Sequence, residues 1–296
     1  MHFPEIKLHP TQGQNAQIEV FDFEYLHARK DSLDHNPGTP HRVEFNLLFF
    51  FEHGSGSHFV DFHNHTLGAG DILFIKKGQI HAFDLSSQAR GKIVLFTEQY
   101  IQQVSDNVRL PILSSMHIDN ECSAIIKLTT GPRESFINLL IEVQNQIQLS
   151  GVESSLIVSH LFAALLLLLN REMANQHSHQ LDPIKGNQLK AFFELLERRQ
   201  INSRNAADYA ELLPFTYKTL NQHCKTIIGK TAKQIIDLYT ILEIRRRLVI
   251  EDISIQAISD AMGFDEVTNF VKYFKKHTGS TPAEFRKTPK VRYLPY

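Results

Sequence analysis

The side chains of this sequence that are best arranged to do chemistry share one face of a predicted helix near the C-terminus. Thr268, Lys272 and Lys275 recur at helical spacing, while Phe270 and Phe274 fall on the opposite face. The aromatic face is suited to packing against a core. Hydroxyl and ammonium groups can contact base edges and phosphates, so the polar face is suited to entering a groove of DNA.

Two further predicted helices and a turn would hold that face in place. Apolar residues recur at helical spacing from Ile255 to Met262, and Gly263 interrupts the pattern where a tight turn needs a permissive backbone. Further on, Thr281 can cap a third helix whose first residue is Pro282. The stretch therefore reads as a helix-turn-helix. Lysines on one helix face are by themselves more often only a solvated surface, so this interpretation needs a second observation.

That second observation is a repeat. Residues 206–235 repeat residues 255–285 at an offset of 49 residues before the turn and 50 after it. Between the copies, Ala232–Val249 is predicted to form one helix of about 27 Å, and successive major grooves on one side of B-DNA lie about 34 Å apart. One chain could thus place two helices in two adjacent grooves. The matched apolar positions are Ala206 with Ile255, Tyr209 with Ile258, Leu213 with Met262, Leu220 with Phe270 and Cys224 with Phe274.

Charge divides the 296-residue chain into two halves. Residues 1–183 carry 12 basic and 20 acidic side chains, a net charge of 12 − 20 = −8, whereas residues 184–296 carry 19 and 12, a net charge of 19 − 12 = +7. We therefore expect only the second half to meet a polyanion. Cys122 and Cys224 show no disulfide spacing, and the start of the chain does not resemble a secretory leader, which favours a reducing cytoplasm.

The first half is predicted to consist of strands followed by helices. Residues 1–40 read as an arm or loop because they are polar and punctuated by proline and glycine. Strand patterns with turn residues between them then favour a sandwich or barrel. The first pattern is apolar throughout from Leu47 to Phe51, so its inward face stays undecided. The strand patterns are EFNLLFFFE, SHFVDF, DILFIKK, HAFDL and KIVLFT, with turn chemistry at HGSGS, HNH, LGAGD and KKGQ.

Helical periodicity replaces the strand pattern in residues 133–149 and 152–172, which we predict to form an antiparallel pair. The apolar run Leu161–Leu169 is shorter than the roughly 20 residues that a bilayer requires, so we expect a buried or dimerising helix and no membrane association. Residues 174–187 are polar and aperiodic, which is typical of a linker, and the charge changes sign there.

The C-terminal part resembles the AraC/XylS transcription regulators, in which two helix-turn-helix units are joined by a long helix. The resemblance rests on AMGF at residues 261–264, on F-x-x-x-F-K-K at residues 270–276 and on G-x-T-P-x-x-F-R at residues 279–286. GDILFIKKGQIH at residues 70–81 resembles the cupin-like effector domain of that family. The family resemblance implies a transcription regulator.

The expected fold class is α+β with two domains. Residues 1–173 would form a cupin-like β-barrel with flanking helices that binds an effector and dimerises, residues 174–187 a linker, and residues 188–296 an all-α double helix-turn-helix domain. The partners implied are double-stranded DNA, a small-molecule effector, a second copy of the chain and, from the family resemblance, RNA polymerase.

Family positions that contact DNA can be carried over residue by residue. Asparagine and glutamine suit adenine, lysine suits guanine or a phosphate, and threonine or valine can meet a thymine methyl group. The base-contacting positions fall on Lys218, Asn221 and Gln222 in the first unit and on Val267, Thr268 and Lys272 in the second. The remaining basic side chains are expected to contact phosphates or to be solvated surface charge: Arg245, Arg246, Lys275 and Lys276.

The first unit also departs from the family pattern. Pro214 stands where glycine is usual, and Gln222 stands where arginine is common, which puts the sequence preference of this unit in question. Cys224 occupies a core position that is usually aromatic, so we interpret it as a packing residue rather than a redox switch.

Histidines crowd the predicted barrel and invite a metal hypothesis. Cupin metal sites usually take an H-x-H pair, a glutamate and a later histidine, but here only His41 and His81 would fill that pattern, and Val43 stands where the second histidine belongs. We therefore expect no metal and no cofactor. The crowded histidines are His41, His53, His58, His63, His65 and His81.

An organic effector is the better hypothesis for the barrel, with His41, Arg42, Glu44 and His81 as candidate contacts near its mouth. The plainer alternative is that these are ordinary polar groups of the surface and core. Two other functions stay open: a cupin-type enzyme carrying a DNA-binding appendage, and a DNA-binding regulator whose barrel is only a dimerisation scaffold. Bound metal with turnover would identify the first, and the absence of any ligand effect would identify the second.

Overall fold

The structure is a computed structural model, and it describes residues 5–6, 17–30, 33, 35–108, 125–149, 151–176, 183–198 and 203–287. The described residues fall into two compact units, one before and one after the segment 177–182. That segment, which is the middle of the predicted linker, lies outside the described residues, as does Cys122.

The described residues of the first unit form two five-stranded sheets rather than one closed barrel. Their strand orders are β1-β3-β8-β5-β6 and β10-β7-β4-β9-β2, and every pairing is antiparallel except that of β1 with β3. The strands are β1 Glu5–Ile6, β2 Ile18–Asp22, β3 His41–Val43, β4 Asn46–His53, β5 Ser55–Val60, β6 His63–Gly68, β7 Asp71–Ile75, β8 Ile80–Phe83, β9 Arg90–Phe96 and β10 Ile125–Lys127.

Strand β4 explains the uninterrupted apolar run from Leu47 to Phe51, because both of its faces are buried. Phe49 faces the other sheet, where its ring lies 4.7 Å from the ring of His58 and 5.0 Å from that of Phe83. Phe50 points the opposite way and packs on Phe136 at 5.2 Å. A strand covered on both faces needs no polar alternation, which is why its inward face could not be chosen from the sequence.

Two parts of the first unit differ from the sequence-based expectation. The supposed arm of residues 1–40 contains β2 and a helix, α1 Phe23–Arg29. The HNH segment belongs to β6 rather than to a turn, since the turn is made one step earlier by Asp61 and Phe62, whose φ angles are +42° and +76°. As the edge strand of its sheet, β6 exposes the polar side chains of His63 and Asn64. Because these residues are polar, the sequence of the segment resembles that of a turn.

Three helices complete the first unit: α2 Glu98–Val108, α3 Thr130–Ile147 and α4 Val152–Gln176. As predicted, α3 and α4 pack along each other, with a short connection between them. Phe162 of α4 packs on Phe96 of β9, with the ring centroids 5.0 Å apart. The helix pair therefore covers the outer face of the sheet that contains β4.

Helix α4 is longer and more apolar than the run Leu161–Leu169 alone indicates. Its segment Val152–Met173 has 22 residues, an 18-residue stretch of which has a mean hydropathy of 2.0, so by length and composition it could cross a membrane. Core helices of globular proteins pass the same test, and here Val158, Phe162 and Leu166 are buried within the unit. Leu165, Leu169 and Met173 are buried as well, whereas Val152, Leu156, Ile157 and Leu167 are exposed.

The second unit consists of helices. The long α8 packs against α6, α7, α9 and α11, so it forms the spine of the unit. Helix α5 starts at Pro183, within the segment predicted as linker. The helices are α5 Pro183–Arg198, α6 Ala206–Glu211, α7 Tyr217–Ile228, α8 Ala232–Ile250, α9 Ile255–Ala261, α10 Val267–Thr278 and α11 Pro282–Lys287.

Candidate nucleic-acid interface and effector site

Helix α10 presents the polar face that its spacing predicts. Phe270 and Phe274 are completely buried, and Phe274 packs edge-on against Phe285 with 5.6 Å between ring centroids. Lys272 is exposed, and so is Thr268, whose hydroxyl donates to a Glu266 carboxylate oxygen at 3.0 Å. The buried aromatic pair thus fixes the roll of the helix and turns its polar face to solvent.

Helix α7 is built in the same way. Leu220 and Cys224 are completely buried, and Lys218 and Gln222 are exposed. The hydroxyl of Thr216 caps the helix by accepting from the amide of Thr219 at 3.2 Å. Burial raises the pKa of the Cys224 thiol to about 12, which agrees with a packing residue rather than a reactive thiolate.

The ends of the two helices show that the repeat is structural. Each helix closes on a left-handed glycine, Gly229 with φ +73° and Gly279 with φ +78°. Each is followed by a threonine that caps the next helix and exchanges two hydrogen bonds with a residue three positions on. The reciprocal pairs are Thr231 with Gln234 and Thr281 with Glu284.

The turns of the two units differ. In the second unit Gly263 has φ +68°, a conformation that favours glycine. In the first unit Pro214 stands at the matching position, and no residue from 212 to 216 has a positive φ. The first turn therefore follows another backbone path, as expected of a proline, which cannot adopt the left-handed conformation.

Two of the side chains expected at DNA are not placed for that role. The side-chain oxygen of Asn221 accepts from the amide of Ala232 at 3.1 Å and thereby caps α8. Arg246 is 7% exposed, and its guanidinium lies 3.7 Å from a carboxylate oxygen of Glu243. Asn221 is half-buried with its oxygen engaged at the start of α8, and Arg246 lies in the packed face of α8.

The remaining candidates lie as follows. Val267 is half-buried at the first position of α10, and Lys275 and Lys276 are exposed near its end. Arg245 is half-buried beside the ring of Phe285, 5.8 Å from its centroid, and this burial lowers the pKa of its guanidinium. Tyr217 is 47% exposed at the first position of α7, although the sequence reasoning did not select it. Tyr217 is the residue of the first repeat that matches Val267 in the second, and this match could have identified it as a candidate.

The interior between the sheets holds three histidines. His58 and His81 stack in parallel, and Nε2 of His58 lies 3.1 Å from Nδ1 of His81. The ring of His41 lies 4.3 Å from that of His81, and its Nδ1 is 2.9 Å from the carbonyl oxygen of Thr39. Burial lowers the pKa of His41 to about 4 and that of His58 to about 3, and holds the pKa of His81 well below its ordinary value. All three are therefore neutral near pH 7.

The four predicted effector contacts do not meet at one point. His41 and His81 face each other as a cross-strand pair in the interior. Arg42 alternates to the other face of β3, beside the turn at Gly78, and Glu44 is exposed with its carboxylate 4.0 Å from Nζ of Lys77. His58 was not selected from the sequence, because the glycines and serines of β5 conceal the alternation that turns it inward.

A small cavity opens beside these histidines. It is lined by aromatic rings, including those of Phe49 and Phe83, and by the polar side chains of His58, Ser57 and Asp84. Its volume is about 20 Å³, room for about one water molecule. The Nε2 atom of His81 is buried and has no hydrogen-bond partner. Among the described residues, no group of three or more histidine, cysteine, aspartate or glutamate side chains is arranged to hold a metal ion.

Comparison with known proteins identifies both units. A family profile described as an AraC-like ligand binding domain matches residues 20–182, and one described as a helix-turn-helix domain matches residues 209–288. The transcriptional activator RhaS of Yersinia pestis (strain Angola) is 22% identical over 253 residues, covering 83% of this chain and 88% of the relative. RhaS of Escherichia fergusonii is 23% identical over 284 residues, covering 91% and 97%.

Among solved structures, ToxT from Vibrio cholerae aligns over 91% of this chain and 97% of its own length, with 14% identity and a TM-score of 0.41. The ligand-binding profile alone covers more than half of the chain, and the helix-turn-helix profile covers most of the second unit. The chain belongs to the AraC/XylS family and is a DNA-binding transcription regulator with an N-terminal ligand-binding domain.

Proposed function

We propose that one chain reads two adjacent major grooves, with α7 in one groove and α10 in the other. The observation that carries this proposal is the match of exposed positions across the repeat: Lys218 and Gln222 stand where Thr268 and Lys272 stand, and all four are exposed. Helix α8 has 19 residues, or about 29 Å, which is close to the groove spacing of about 34 Å. Val267 joins the base contacts because it lies on the first turn of α10.

Contacts to DNA phosphates would hold the recognition helices in register with the bases. We assign this role to Lys275 and Lys276, which are exposed at the end of α10, and to Arg245, which is half-buried. Residues 184–296 carry a net charge of +7, which supplies long-range attraction to DNA and predicts a strong dependence of affinity on salt.

Binding to specific and random DNA tests the proposed reading. The purified protein should bind a fragment of its own upstream region far more tightly than random DNA at the same salt concentration, as expected for a base reader. Equal affinity for both would contradict base reading and would leave only electrostatic attraction.

In the first unit we propose that a small organic effector binds beside the buried histidines. Support comes from the neutral imidazoles of His41, His58 and His81 and from the aromatic lining of the adjacent cavity. A cavity of about 20 Å³ cannot hold an effector of several heavy atoms, so binding requires the sheets or α1 to move apart. Effector binding would then act by changing how the DNA-binding units are held.

We propose further that two chains pair through α3 and α4. We also propose that the protein works in the cytoplasm, where it contacts RNA polymerase, and that it is not an enzyme. Support for pairing comes from the exposed apolar side chains of α4: Leu156 is 57% exposed and Leu167 is 47% exposed. Polymerase contact and location follow from the proposed role in transcription.

The small cavity favours one alternative, a regulator whose N-terminal unit is only a dimerisation scaffold. A thermal-shift screen of sugars, aromatic acids, amines and fatty acids separates the two functions. The effector proposal predicts at least one compound that raises the melting temperature and changes the affinity for the specific fragment. If compounds of every class leave both quantities unchanged, the scaffold function stands.

A further inference from the structure

The second unit contains a contact that joins its two helix-turn-helix elements without passing through α8. Arg204 lies directly before Asn205, the residue that caps α6 of the first element. Its Nη1 donates to the carbonyl oxygens of Met262 at 3.2 Å and of Gly263 at 3.1 Å, in the turn of the second element. The guanidinium carbon lies 3.7 Å from the centroid of the Phe264 ring. One side chain thus bridges residues almost 60 positions apart.

A second set of contacts continues the bridge to α8. The Phe264 ring lies 5.4 Å from the ring of Tyr273 in α10. The Tyr273 hydroxyl donates to a carboxylate oxygen of Asp237 at 2.7 Å, and the ammonium group of Lys233 pairs with the same oxygen. Both Asp237 and Lys233 belong to the first turns of α8. The path from the start of α6 to α8 therefore runs through the turn and the recognition helix of the second element.

The chemistry of this bridge requires arginine at its centre. The planar guanidinium can stack on Phe264 while its N–H groups point in the plane toward carbonyl oxygens, which a lysine ammonium group cannot do. The two carbonyls follow α9, where the helix dipole concentrates partial negative charge, so the cation is stabilised there. The contact is half-buried, which reduces its screening by salt.

We infer that Arg204 is a positioning residue that fixes the angle between the two recognition helices, so that both fit adjacent grooves of the same DNA. This inference rests on the proposed reading of two grooves. Two elements on a rigid frame gain from binding the same duplex, because the second contact becomes intramolecular. If the angle varies, that gain falls although each helix still fits its own groove.

Three substitutions at two positions test the bridge in the full-length protein. Arg204→Lys keeps the charge but loses the planar donors, and Arg204→Met loses both. Tyr273→Phe keeps the ring and removes only the bond to Asp237. Lys287→Met is the matched control, since it also removes one positive charge from the same unit, at an exposed position of α11.

The first measurement compares the specific fragment with two fragments in which one half-site is replaced by random sequence. We expect both Arg204 variants to lose about tenfold in affinity for the complete site and less than about twofold in affinity for either fragment with a single half-site. A tenfold loss is a part of the gain in affinity that linking two binding sites can supply. Tyr273→Phe should change affinity in the same direction by less, and Lys287→Met should affect all three fragments equally. Equal loss on all three fragments by the Arg204 variants would overturn the inference, as would no loss.

The second measurement needs no DNA and so separates this inference from the proposed groove reading. Spin labels at Lys218→Cys and Lys275→Cys, in a Cys122→Ser background, report the distance between the recognition helices, and the buried Cys224 thiol resists labelling. We expect one narrow distance distribution in the parent and a broader one in Arg204→Met and Arg204→Lys. Unchanged distributions would overturn the positioning role even if both grooves are read. A parent protein that does not read two grooves, together with a broadened distribution in the Arg204 variants, would contradict only the proposed function.

Discussion

At the scale of single residues, specificity depends on a few side chains held outward by buried neighbours. Lys272 and Gln222 occupy matching positions on α10 and α7, and each lies on the face opposite a completely buried pair. Lysine can donate to guanine O6 and N7, and the side-chain amide of glutamine can accept from adenine N6 through its oxygen and donate to adenine N7 through its nitrogen. The two residues should therefore act independently on two half-sites.

Removing either side chain should weaken specific binding. We expect Lys272→Ala and Gln222→Ala each to cost about 1 to 3 kcal/mol on the specific fragment and far less on random DNA. Fluorescence anisotropy at constant salt measures both affinities. Lys276→Ala is the control, since a phosphate contact weakens binding to both DNAs alike and reduces its salt dependence. The same loss on random DNA for all three variants would exclude base reading by Lys272 and Gln222.

Asn221 should behave differently from its neighbour Gln222. Its side-chain oxygen caps α8 through the amide of Ala232, so Asn221→Ala should lower the free energy of unfolding by about 1 kcal/mol and leave base preference intact. Asn221→Asp keeps the acceptor and should retain most of the stability. Urea unfolding and a base-substitution series of the site measure the two quantities. A change of preferred base with unchanged stability would return Asn221 to the base-reading set.

Residue roles were only partly predictable from the sequence. Exposure of Thr268 and Lys272 followed from helical spacing, because period and burial are linked, and exposure of Lys218 and Gln222 was expected because base-contacting positions of the family fall on them. The inward roles of Asn221 and Arg246 did not, since each depends on a partner that only the fold brings near: the start of α8 for one, and Glu243 with its buried surroundings for the other.

At the scale of elements, the two sheets enclose histidine side chains whose burial opposes their protonation. A histidine whose folded-state pKa lies below its unfolded value of about 6.5 contributes stability above that value, and this contribution is lost as the pH falls toward the folded pKa. Since burial lowers the pKa of His41 to about 4 and of His58 to about 3, the sensitive window runs from about pH 6.5 down to these values.

Acid should therefore destabilise the first unit. Between pH 7 and pH 5 we expect the free energy of unfolding to fall by about 2 kcal/mol for each of His41 and His58, because the unfolded chain binds protons that the folded interior excludes. His58→Gln should reduce this fall by about 2 kcal/mol. Urea unfolding at pH 7, 6 and 5 measures both proteins. An equal fall in the two proteins would show that His58 does not exclude a proton.

Elements were predictable where their pattern was strong. The helix pair, the long α8 and both helix-turn-helix elements follow from the 3.6-residue period, and the doubly buried β4 was recognised as a strand by its branched and aromatic residues. The edge strand β6 was missed because its polar, histidine-rich sequence resembles a turn. The strands of residues 1–40 were missed because they are short, two and five residues, within a segment otherwise punctuated by polar residues, proline and glycine. Closure of the barrel could not be decided locally, since it depends on how ten strands divide into two sheets.

At the scale of the whole molecule, the exposed apolar side chains of α4 are the feature that most needs a partner. Leu156 and Leu167 would be covered in a dimer formed by the helix pair. Leu156→Glu with Leu167→Glu should convert the protein from dimer to monomer at micromolar concentration, as measured by sedimentation velocity. Asn64→Glu, at an exposed position of β6, is the control and should stay dimeric.

Two results would contradict pairing through α4. One is an unchanged sedimentation coefficient for the double variant, and the other is a parent protein that is monomeric at every concentration. A different outcome is that the parent co-sediments with lipid vesicles and the double variant does not. That result would assign the apolar helix to a membrane, because Val152–Met173 is long and apolar enough by composition to enter a bilayer.

A hydroxyl-radical footprint of the full-length protein on its specific fragment shows whether one chain reads two adjacent grooves. We predict two protected patches per chain on one side of the DNA, about one helical turn apart, with Gln222→Ala weakening one patch and Lys272→Ala the other. A single protected patch, or both patches weakened equally by each substitution, would contradict the reading of two grooves.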